Sequence, residues 1–332
     1  MEELNIVIIG LGSMGKRRTR IIRRLYPEIT LVGIDLQDKR RKDFVQEFSL
    51  PVFSNLSEAL AHIRLDAAII STSPLSHGDI AYECLSAGLH VFTELNLQPC
   101  RYEENMRLAQ EQNVKLFLSS TFLYRKEIQY TIRKAAETNE PLSYIYHVGQ
   151  YLPDWHPWED YRDYFVAKRE SNACRELFAI ELPWLTAAFG AIEDVHVVSD
   201  KMTKLELPYH DNYIVNIRHN RGCKGVLIVD VVSREAVRDL CVYGENLFLQ
   251  WDGTPGGLRE KDIDKKNTVS VELYGNETAR HDDNYSRNII ENAYENEVKA
   301  FVAYITRDEK PVYNFKEDLN ILSWIDIIEG VK

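Results

Sequence analysis

A glycine-rich turn near the start of the chain has the spacing of a site for a dinucleotide pyrophosphate. The segment Gly10-Leu11-Gly12-Ser13-Met14-Gly15 follows the apolar run Ile6 to Ile9 and opens a helical pattern. In such a turn the first glycine permits the bend, the second lets backbone approach the phosphates, and the third lets the helix pack closely. The helix N-terminus presents unpaired N–H groups to the same phosphates. The predicted cofactor contacts of this turn are Gly10, Gly12, Ser13, Met14 and Gly15.

An acidic residue, Asp35, ends the next predicted strand, 20 residues after Gly15. Its carboxylate is placed to accept hydrogen bonds from an adenosine ribose, and its charge would repel the additional phosphate of NADP, so the pattern favours NAD. NADP is an alternative, because Lys39, Arg40 and Arg41 follow closely and attract phosphate. A glycine turn that binds no cofactor is another alternative.

A segment rich in aromatic and acidic residues runs from Tyr151 to Arg162. Aromatic faces stack on pyranose rings, while carboxylates and arginine bind hydroxyls or a phosphate, so the segment suits a carbohydrate ligand. The alternative is a rigid connection anchored by its tryptophans. The predicted substrate-binding residues are Trp155, Trp158, Asp160, Arg162, Lys168 and Arg175.

The pattern of predicted helices and strands that must position these residues changes near residue 120. Before it, short apolar runs alternate with helical patterns, which indicates parallel strands joined by crossover helices. After it, a helix at Lys126 to Glu137 and a long strand at Leu142 to Tyr151 precede closely spaced apolar runs, which indicate an antiparallel sheet. We predict an α/β protein with an N-terminal Rossmann domain, a doubly wound parallel sheet, over residues 1–121. An α+β domain with a large, mainly antiparallel open sheet follows over residues 122–332.

The composition is that of a globular protein with acidic balance. The 332 residues carry a net charge of −11, which argues against nucleic-acid binding. Five irregularly spaced cysteines without a CxxC pair indicate neither a disulfide framework nor a metal site. We find no leader-like segment and no apolar run of about 18 residues, so we expect a cytoplasmic protein that does not span a membrane.

The residues from Ser71 to Glu94 carry a family resemblance. They read Ser71-Thr72-Ser73-Pro74-Leu75-Ser76-His77 and then Ala87-Gly88-Leu89-His90-Val91-Phe92-Thr93-Glu94. These segments resemble the Gfo/Idh/MocA oxidoreductases, the family of glucose-fructose oxidoreductase and inositol dehydrogenase, whose layout the second half also follows. The resemblance implies that Thr72 and Pro74 line the nicotinamide side of the crevice, that His77 begins the next helix, and that Glu94 lies at the ligand-binding edge of the sheet. For His77, the alternative is a helix-start residue with a local hydrogen bond.

Two departures from the family pattern fall where proton chemistry is expected. The family's Glu-Lys-Pro tripeptide, whose lysine lies near nicotinamide and substrate, reads Glu94-Leu95-Asn96 here. The family's glycine-rich run aligns with Ser171-Asn172-Ala173, and its proton-relaying histidine aligns with Ile180. Leucine and isoleucine cannot transfer protons, so the usual acid/base pair is missing.

Other side chains must then move the proton if the chain is an enzyme. If a helix begins near Cys174, Glu176 and Ile180 share a face one turn apart. Glu176 is therefore the first choice and His156 the second, with a structural role as the alternative for each. The full set of predicted catalytic residues is Glu176, His156, Tyr161 and Glu181.

These observations predict an NAD-dependent oxidoreductase that transfers hydride to or from a carbinol or ketone carbon of a sugar, sugar phosphate or nucleotide sugar in carbohydrate or surface-polysaccharide biosynthesis. One alternative is a catalytically decayed relative that acts as a sensor or assembly protein. Another is a reductase of the amino-acid or biliverdin type on the same fold. An open sheet with a solvent-exposed apolar face predicts a homodimer or homotetramer, because association would cover that face; the resemblance also implies it.

Overall fold

The computed structural model describes residues 4–157, 159–275 and 290–331. It divides into two compact units. Unit 1 contains residues 1–120 and 294–319, and unit 2 contains residues 121–293 and 320–332. The break after Ser120 lies close to the predicted domain boundary, whereas residues 294–319, which the prediction assigned to the second domain, group with the first.

Unit 1 is built on a six-stranded parallel sheet whose strand order is β3-β2-β1-β4-β5-β6. Its central strands are wholly buried, with Ile6, Val7 and Ile8 inaccessible to solvent, because helices cover both faces. The strands are β1 (Asn5–Ile9), β2 (Thr30–Ile34), β3 (Val52–Phe53), β4 (Ala67–Ile70), β5 (His90–Thr93) and β6 (Leu116–Leu118). The helices are α1 (Ser13–Leu25), α2 (Asp38–Phe48), α3 (Leu56–His62), α4 (His77–Ser86) and α5 (Tyr102–Glu111).

The order of this sheet reverses beside β1, which pairs with β2 on one side and β4 on the other. In doubly wound sheets the ligand crevice lies at the carboxyl ends of the strands where the order reverses. The glycine turn after β1 and the turn after β4 both follow those carboxyl ends. The topology therefore confirms the predicted Rossmann arrangement.

Unit 2 contains an eight-stranded sheet of order β14-β13-β12-β11-β7-β10-β9-β8. Its pairs are antiparallel except for β7 and β10, which run parallel, so the predicted mainly antiparallel sheet is confirmed. The chain enters through α6 (Lys126–Glu137) and continues as β7 (Ser143–Gly149) and α7 (Ala173–Phe189). The remaining strands are β8 (Ile192–Asp200), β9 (Asn212–His219), β10 (Lys224–Asp230), β11 (Val237–Tyr243), β12 (Phe248–Trp251), β13 (Arg259–Asp262) and β14 (Asn267–Ser270). Two helices, α8 (Glu291–Arg307) and α9 (Phe315–Ile328), close the chain.

The alternation of buried and exposed residues along β7 shows which face of the sheet is covered. Tyr144, Tyr146 and Val148 are buried, whereas Ile145 between them is exposed. The outer face carries further exposed apolar side chains, namely Val198, Ile214 and Tyr243. The outer face of this sheet therefore carries exposed apolar side chains within unit 2.

The aromatic segment between β7 and α7 consists of short 3-10 turns instead of a regular element. The turns are Leu152–Asp154, Tyr161–Asp163, Phe165–Ala167 and Arg169–Ser171. Asn172 ends the segment by accepting a hydrogen bond from the Arg175 N–H at 2.7 Å, which caps α7. The predicted start of this helix near Cys174 is thus one residue late.

Among the described residues, no helix is long and apolar enough to cross a membrane. Within the same ranges, no group of three or more histidine, cysteine or acidic side chains is arranged to hold a metal ion.

Candidate active site

The glycine turn has room for a phosphate at one glycine and none at the other two. Gly10 adopts φ +94°, and a Cβ there would lie 2.6 Å from the Ser71 carbonyl oxygen. A Cβ on Gly15 would lie 1.9 Å from the Gly10 carbonyl oxygen. At Gly12, by contrast, the nearest atom is Nη1 of Arg40 at 4.0 Å, so this side of the turn is open. The arrangement fits a dinucleotide whose pyrophosphate approaches the backbone at Gly12 and the first turn of α1.

The first two side chains of α1 do not crowd this opening. Ser13 is exposed and Met14 is partly buried, with its sulfur accepting a hydrogen bond from the Arg17 guanidinium at 3.4 Å. Their backbone N–H groups are at the helix end that phosphates prefer.

Asp35 is tied to the glycine turn. Its Oδ2 accepts a hydrogen bond from the Leu11 N–H at 2.9 Å, and its Oδ1 accepts one from the Gln37 N–H at 2.8 Å. The residue is buried, and Nη1 of Arg40 lies 3.7 Å from Oδ2. The carboxylate therefore holds the turn in place as well as standing at the end of β2, where an adenosine ribose is expected.

His77 connects the turn after β4 to the segment after β5. Its Nε2 lies 3.0 Å from the Thr72 carbonyl oxygen and its Nδ1 lies 2.9 Å from Oδ1 of Asn96. The Thr72 carbonyl oxygen and the Asn96 amide oxygen both only accept hydrogen bonds, so a neutral His77 ring donates to one of them and only a protonated ring donates to both. Burial lowers the pKa of His77, which favours the neutral ring. The same turn is closed by a 2.9 Å hydrogen bond between the hydroxyls of Thr72 and Ser76, with Pro74 starting its 3-10 helix.

Glu94, at the end of β5, is bound to α1. Its carboxylate accepts hydrogen bonds from Arg18 at 2.6 Å and 3.0 Å, and Arg18 also donates to Glu297 at 2.6 Å. Leu95, which the sequence resemblance aligns with a lysine, is partly buried. The ion pairs involving Arg18 were not anticipated from the sequence, although a cation one turn into α1 was a visible signal.

In unit 2, the turns before α7 bring a histidine, a tyrosine and two carboxylates together. His156 Nδ1 lies 2.7 Å from Oε1 of Glu159. The His156 ring stacks on Tyr164, with ring centroids 5.1 Å apart and planes inclined at 26°. Glu176, on the first turn of α7, acts electrostatically on Tyr164. We call these residues, His156, Glu159, Tyr164 and Glu176, the loop cluster.

The two central members of the loop cluster have polar atoms with unmet hydrogen-bonding capacity. Burial raises the pKa of the Glu176 carboxyl to about 7, and its carboxylate has no hydrogen-bond partner among the described residues. The Tyr164 hydroxyl is likewise buried and, within those residues, unpartnered. Burial and the nearby Glu176 raise the pKa of Tyr164. Buried polar groups are normally paired, so the Tyr164 hydroxyl is suited to meet a polar ligand beside Glu176.

Tyr164 was not among the candidates drawn from the sequence. It lies two residues after Arg162, in the same aromatic segment, but nothing in its neighbours distinguishes it from Tyr161. Only its contact with His156 and its proximity to Glu176 single it out.

Glu181 and Arg175 have partners inside unit 2. The buried Glu181 carboxylate accepts hydrogen bonds from Tyr146 at 2.8 Å, Trp184 at 2.6 Å and Arg238 at 2.6 Å. Arg175 is buried and donates to Asp326 of α9 at 2.8 Å and to Glu329, directly after α9, at 2.5 Å. Both side chains are therefore engaged in structural contacts, and we do not include them in the loop cluster.

Three of the other predicted substrate residues and the predicted catalytic residue Tyr161 form local contacts within unit 2. Trp155 donates from Nε1 to the Gln150 carbonyl at 2.9 Å. Arg162 pairs with Asp160 at 2.6 Å, and the Tyr161 hydroxyl accepts from the Glu206 N–H at 3.3 Å. Lys168 is exposed, and Trp158 lies outside the described residues.

Comparison with known proteins gives a match over the first unit and a fold match over the whole chain. Residues 4–120 match the model of an oxidoreductase family with an NAD-binding Rossmann fold. Human biliverdin reductase A is 27% identical over 139 residues, which are 38% of this chain and 45% of that protein. The chain thus matches less than half the length of this curated relative.

Two solved structures share the fold across nearly the full length. One is UDP-N-acetylglucosamine 3-dehydrogenase GnnA from Acidithiobacillus ferrooxidans, with TM-score 0.77 and 17% identity, covering 99% of this chain and 98% of that one. The other is biliverdin reductase from Synechocystis sp. PCC 6803 in complex with biliverdin and NADP+, with TM-score 0.74 and 17% identity, covering 99% and 98%. At this identity the likeness shows the fold alone.

Proposed function

We propose that the chain is a nicotinamide-dependent oxidoreductase of the Gfo/Idh/MocA type, acting on a carbinol or ketone carbon of a sugar, sugar phosphate or nucleotide sugar. The match of residues 4–120 to the model of an oxidoreductase family with an NAD-binding Rossmann fold supports the cofactor. The observation that carries this proposal is the loop cluster. It offers groups for proton transfer in a chain that has Leu95 and Ile180 in place of the lysine and histidine usual in that family.

Glu176 is the proposed proton acceptor. A general base works best when its pKa lies near the working pH, and burial brings the pKa of Glu176 to about 7. The ionised carboxylate would take the proton of the substrate hydroxyl, and the protonated acid would return it in the reverse direction. Bound nicotinamide supplies the hydride acceptor or donor.

Tyr164 and His156 are proposed to orient the substrate. The unpartnered Tyr164 hydroxyl can donate to a substrate oxygen, and Glu159 holds the His156 ring through Nδ1 at 2.7 Å. The aromatic residues around them suit the apolar face of a sugar ring. The fold shared with a UDP-N-acetylglucosamine dehydrogenase is compatible with such a substrate.

The test is turnover by the purified full-length chain with NAD or NADP and a panel of sugars, sugar phosphates and nucleotide sugars, followed by nicotinamide absorbance. We expect turnover of at least one member, and a loss of about 10²- to 10⁴-fold in kcat/KM for Glu176→Gln. The matched control is Glu170→Gln on the exposed turn before α7, which should retain activity. Nucleotide binding without turnover of any substrate would refute the sugar oxidoreductase.

A second candidate, a biliverdin-type reductase, is favoured by the sequence match to human biliverdin reductase A. Biliverdin therefore belongs in the panel, and its reduction in the absence of sugar turnover would select this candidate.

The replacement of the lysine and histidine positions by Leu95 and Ile180 favours a third candidate, a decayed relative that binds ligand without turnover. Activity appearing only in the Leu95→Lys, Ile180→His double variant would support it.

We also propose a homodimer or homotetramer through the outer face of the sheet in unit 2. The exposed Ile145, Val198, Ile214 and Tyr243 support this surface. Light scattering of the wild type and of Ile145→Lys measures the molar mass in solution and so tests whether this face forms the oligomer. A cytoplasmic location, with five free cysteines, is part of the same proposal.

A further inference from the structure

The guanidinium of Arg40 lies beside the carboxylate that was expected to select NAD. Nη1 of Arg40 is 3.7 Å from Oδ2 of Asp35 and 4.0 Å from the position that a Cβ on Gly12 would take. The Arg40 side chain is 50% exposed, whereas that of Asp35 is 6% exposed. An accessible cation therefore reaches both the glycine turn and the end of β2.

The negative charge of Asp35 is already partly compensated. Each carboxylate oxygen accepts a backbone hydrogen bond, one from Leu11 and one from Gln37. Arg40 adds a full positive charge at ion-pair distance. The repulsion that Asp35 exerts on a nearby phosphate is accordingly weaker than that of an isolated carboxylate.

The neighbouring cations of α2 differ from Arg40 in their contacts. Arg41 donates to the carbonyl oxygens of Asp35 and Leu36 at 2.6 Å and 3.1 Å. Lys42 pairs with Asp38 at 2.6 Å. Arg40 has only its ion pair with Asp35 among the described residues, and that contact is longer than a hydrogen bond. Among these cations, Arg40 is the one placed beside both Asp35 and Gly12 without a hydrogen bond to a described residue that fixes it, so its guanidinium can turn toward an incoming phosphate.

We propose that Arg40 makes the nucleotide site accept NADP as well as NAD. With NAD, Asp35 accepts a hydrogen bond from the ribose and Arg40 keeps its ion pair with the Asp35 carboxylate. With NADP, Arg40 turns to the 2′-phosphate, and its contact there offsets the residual repulsion by Asp35. The inference rests on the proposed nucleotide binding and revises the expectation, drawn from Asp35 alone, that NADP is disfavoured.

Calorimetric titration of the full-length chain with NADH and with NADPH, at one low ionic strength, tests the proposal without any turnover. We expect the two dissociation constants to agree within about tenfold. Arg40→Ala should weaken NADPH binding by about 10- to 100-fold and NADH binding by less than about threefold. Arg40→Lys keeps the charge and should recover part of the NADPH affinity.

Lys42→Ala is the matched control, because it removes the same charge from the same helix. It should leave the ratio of the two dissociation constants unchanged. Added salt should weaken NADPH more than NADH in the wild type, and this difference should shrink in Arg40→Ala.

Two results would overturn the inference while leaving dinucleotide binding intact. One is a wild type that binds NADH more than about 100-fold more tightly than NADPH. The other is an equal effect of Arg40→Ala on both nucleotides. Binding of neither nucleotide would overturn the proposed function together with this inference.

Discussion

Arg18 and Glu94 are joined by two hydrogen bonds, 2.6 Å from Nε and 3.0 Å from Nη2. Arg18 lies on the helix that starts at the glycine turn, and Glu94 directly follows β5 on the other side of the point where the strand order reverses. The buried guanidinium also binds Glu297, whose pKa burial raises. This network therefore fixes α1 and the end of β5 relative to each other.

Removing the Arg18 guanidinium should destabilise the fold severely. Arg18→Met leaves the carboxylates of Glu94 and Glu297 without their cation, and we expect a loss of about 3–5 kcal/mol in the free energy of unfolding at neutral pH. Because an unpaired buried carboxylate has a raised pKa in the folded state, the defect should shrink as the pH falls.

Urea unfolding at several pH values measures this effect. The control is Arg20→Met on the same helix, which removes an exposed ion pair with Glu47 and should cost less than about 1 kcal/mol. Equal losses for the two variants would contradict the role assigned to Arg18.

Two glycines of the turn should respond differently to alanine. Gly15→Ala places a Cβ 1.9 Å from the Gly10 carbonyl oxygen, so we expect a destabilisation of about 1–3 kcal/mol. Gly12→Ala meets only the Arg40 guanidinium at 4.0 Å and should fold normally while binding NADH more weakly, since the methyl group occupies the open side of the turn. Thermal unfolding and calorimetry separate the two effects. Unchanged NADH binding by Gly12→Ala would show that the phosphates lie elsewhere.

Glu176→Gln should raise stability at alkaline pH while lowering activity. The folded-state pKa of about 7 lies above the ordinary value of 4.5, so ionisation of Glu176 opposes folding. This cost begins as the pH rises through about 4.5 and is complete above about 7. The glutamine variant should match the wild type at about pH 4 and exceed it at about pH 8. Urea midpoints at these pH values test the prediction, which a pH-independent difference would refute.

Tyr164→Phe should lower turnover without loss of stability. The hydroxyl has no hydrogen-bond partner among the described residues, so its removal breaks no internal bond there. Tyr209→Phe is the matched control, because its hydroxyl donates to the Val166 carbonyl at 2.8 Å and its loss should cost about 1 kcal/mol. Thermal unfolding and kcat/KM of both variants give the comparison. A Tyr164→Phe variant that unfolds earlier but turns over normally would assign Tyr164 a structural role.

The Rossmann half was predictable from the sequence because its signals are local. The strand predicted from Asn5 to Gly10 is Asn5–Ile9, and the Gly10 to Gly15 turn follows it, since the apolar run and the glycine spacing lie within one short segment. In the second unit, the helix predicted from Lys126 to Glu137 is α6 without change, because its periodicity is likewise a local signal. The short β3 (Val52–Phe53) was missed because two residues carry no periodicity.

The assignment of side chains to partners was decided by the tertiary structure. Glu181 meets Arg238 across 57 residues of sequence, and Arg175 meets Asp326 across 151. Helical spacing predicted a shared face for Glu176 and Ile180. It could not predict that the Glu181 carboxylate accepts three hydrogen bonds whereas the Glu176 carboxylate accepts none from the described residues. In the same way, the sequence determined that Asp35 and Arg40 lie near a glycine turn. Only the folded chain decided that the cation compensates the carboxylate, because the energy of a charge depends on its burial and on neighbours that the backbone brings from elsewhere.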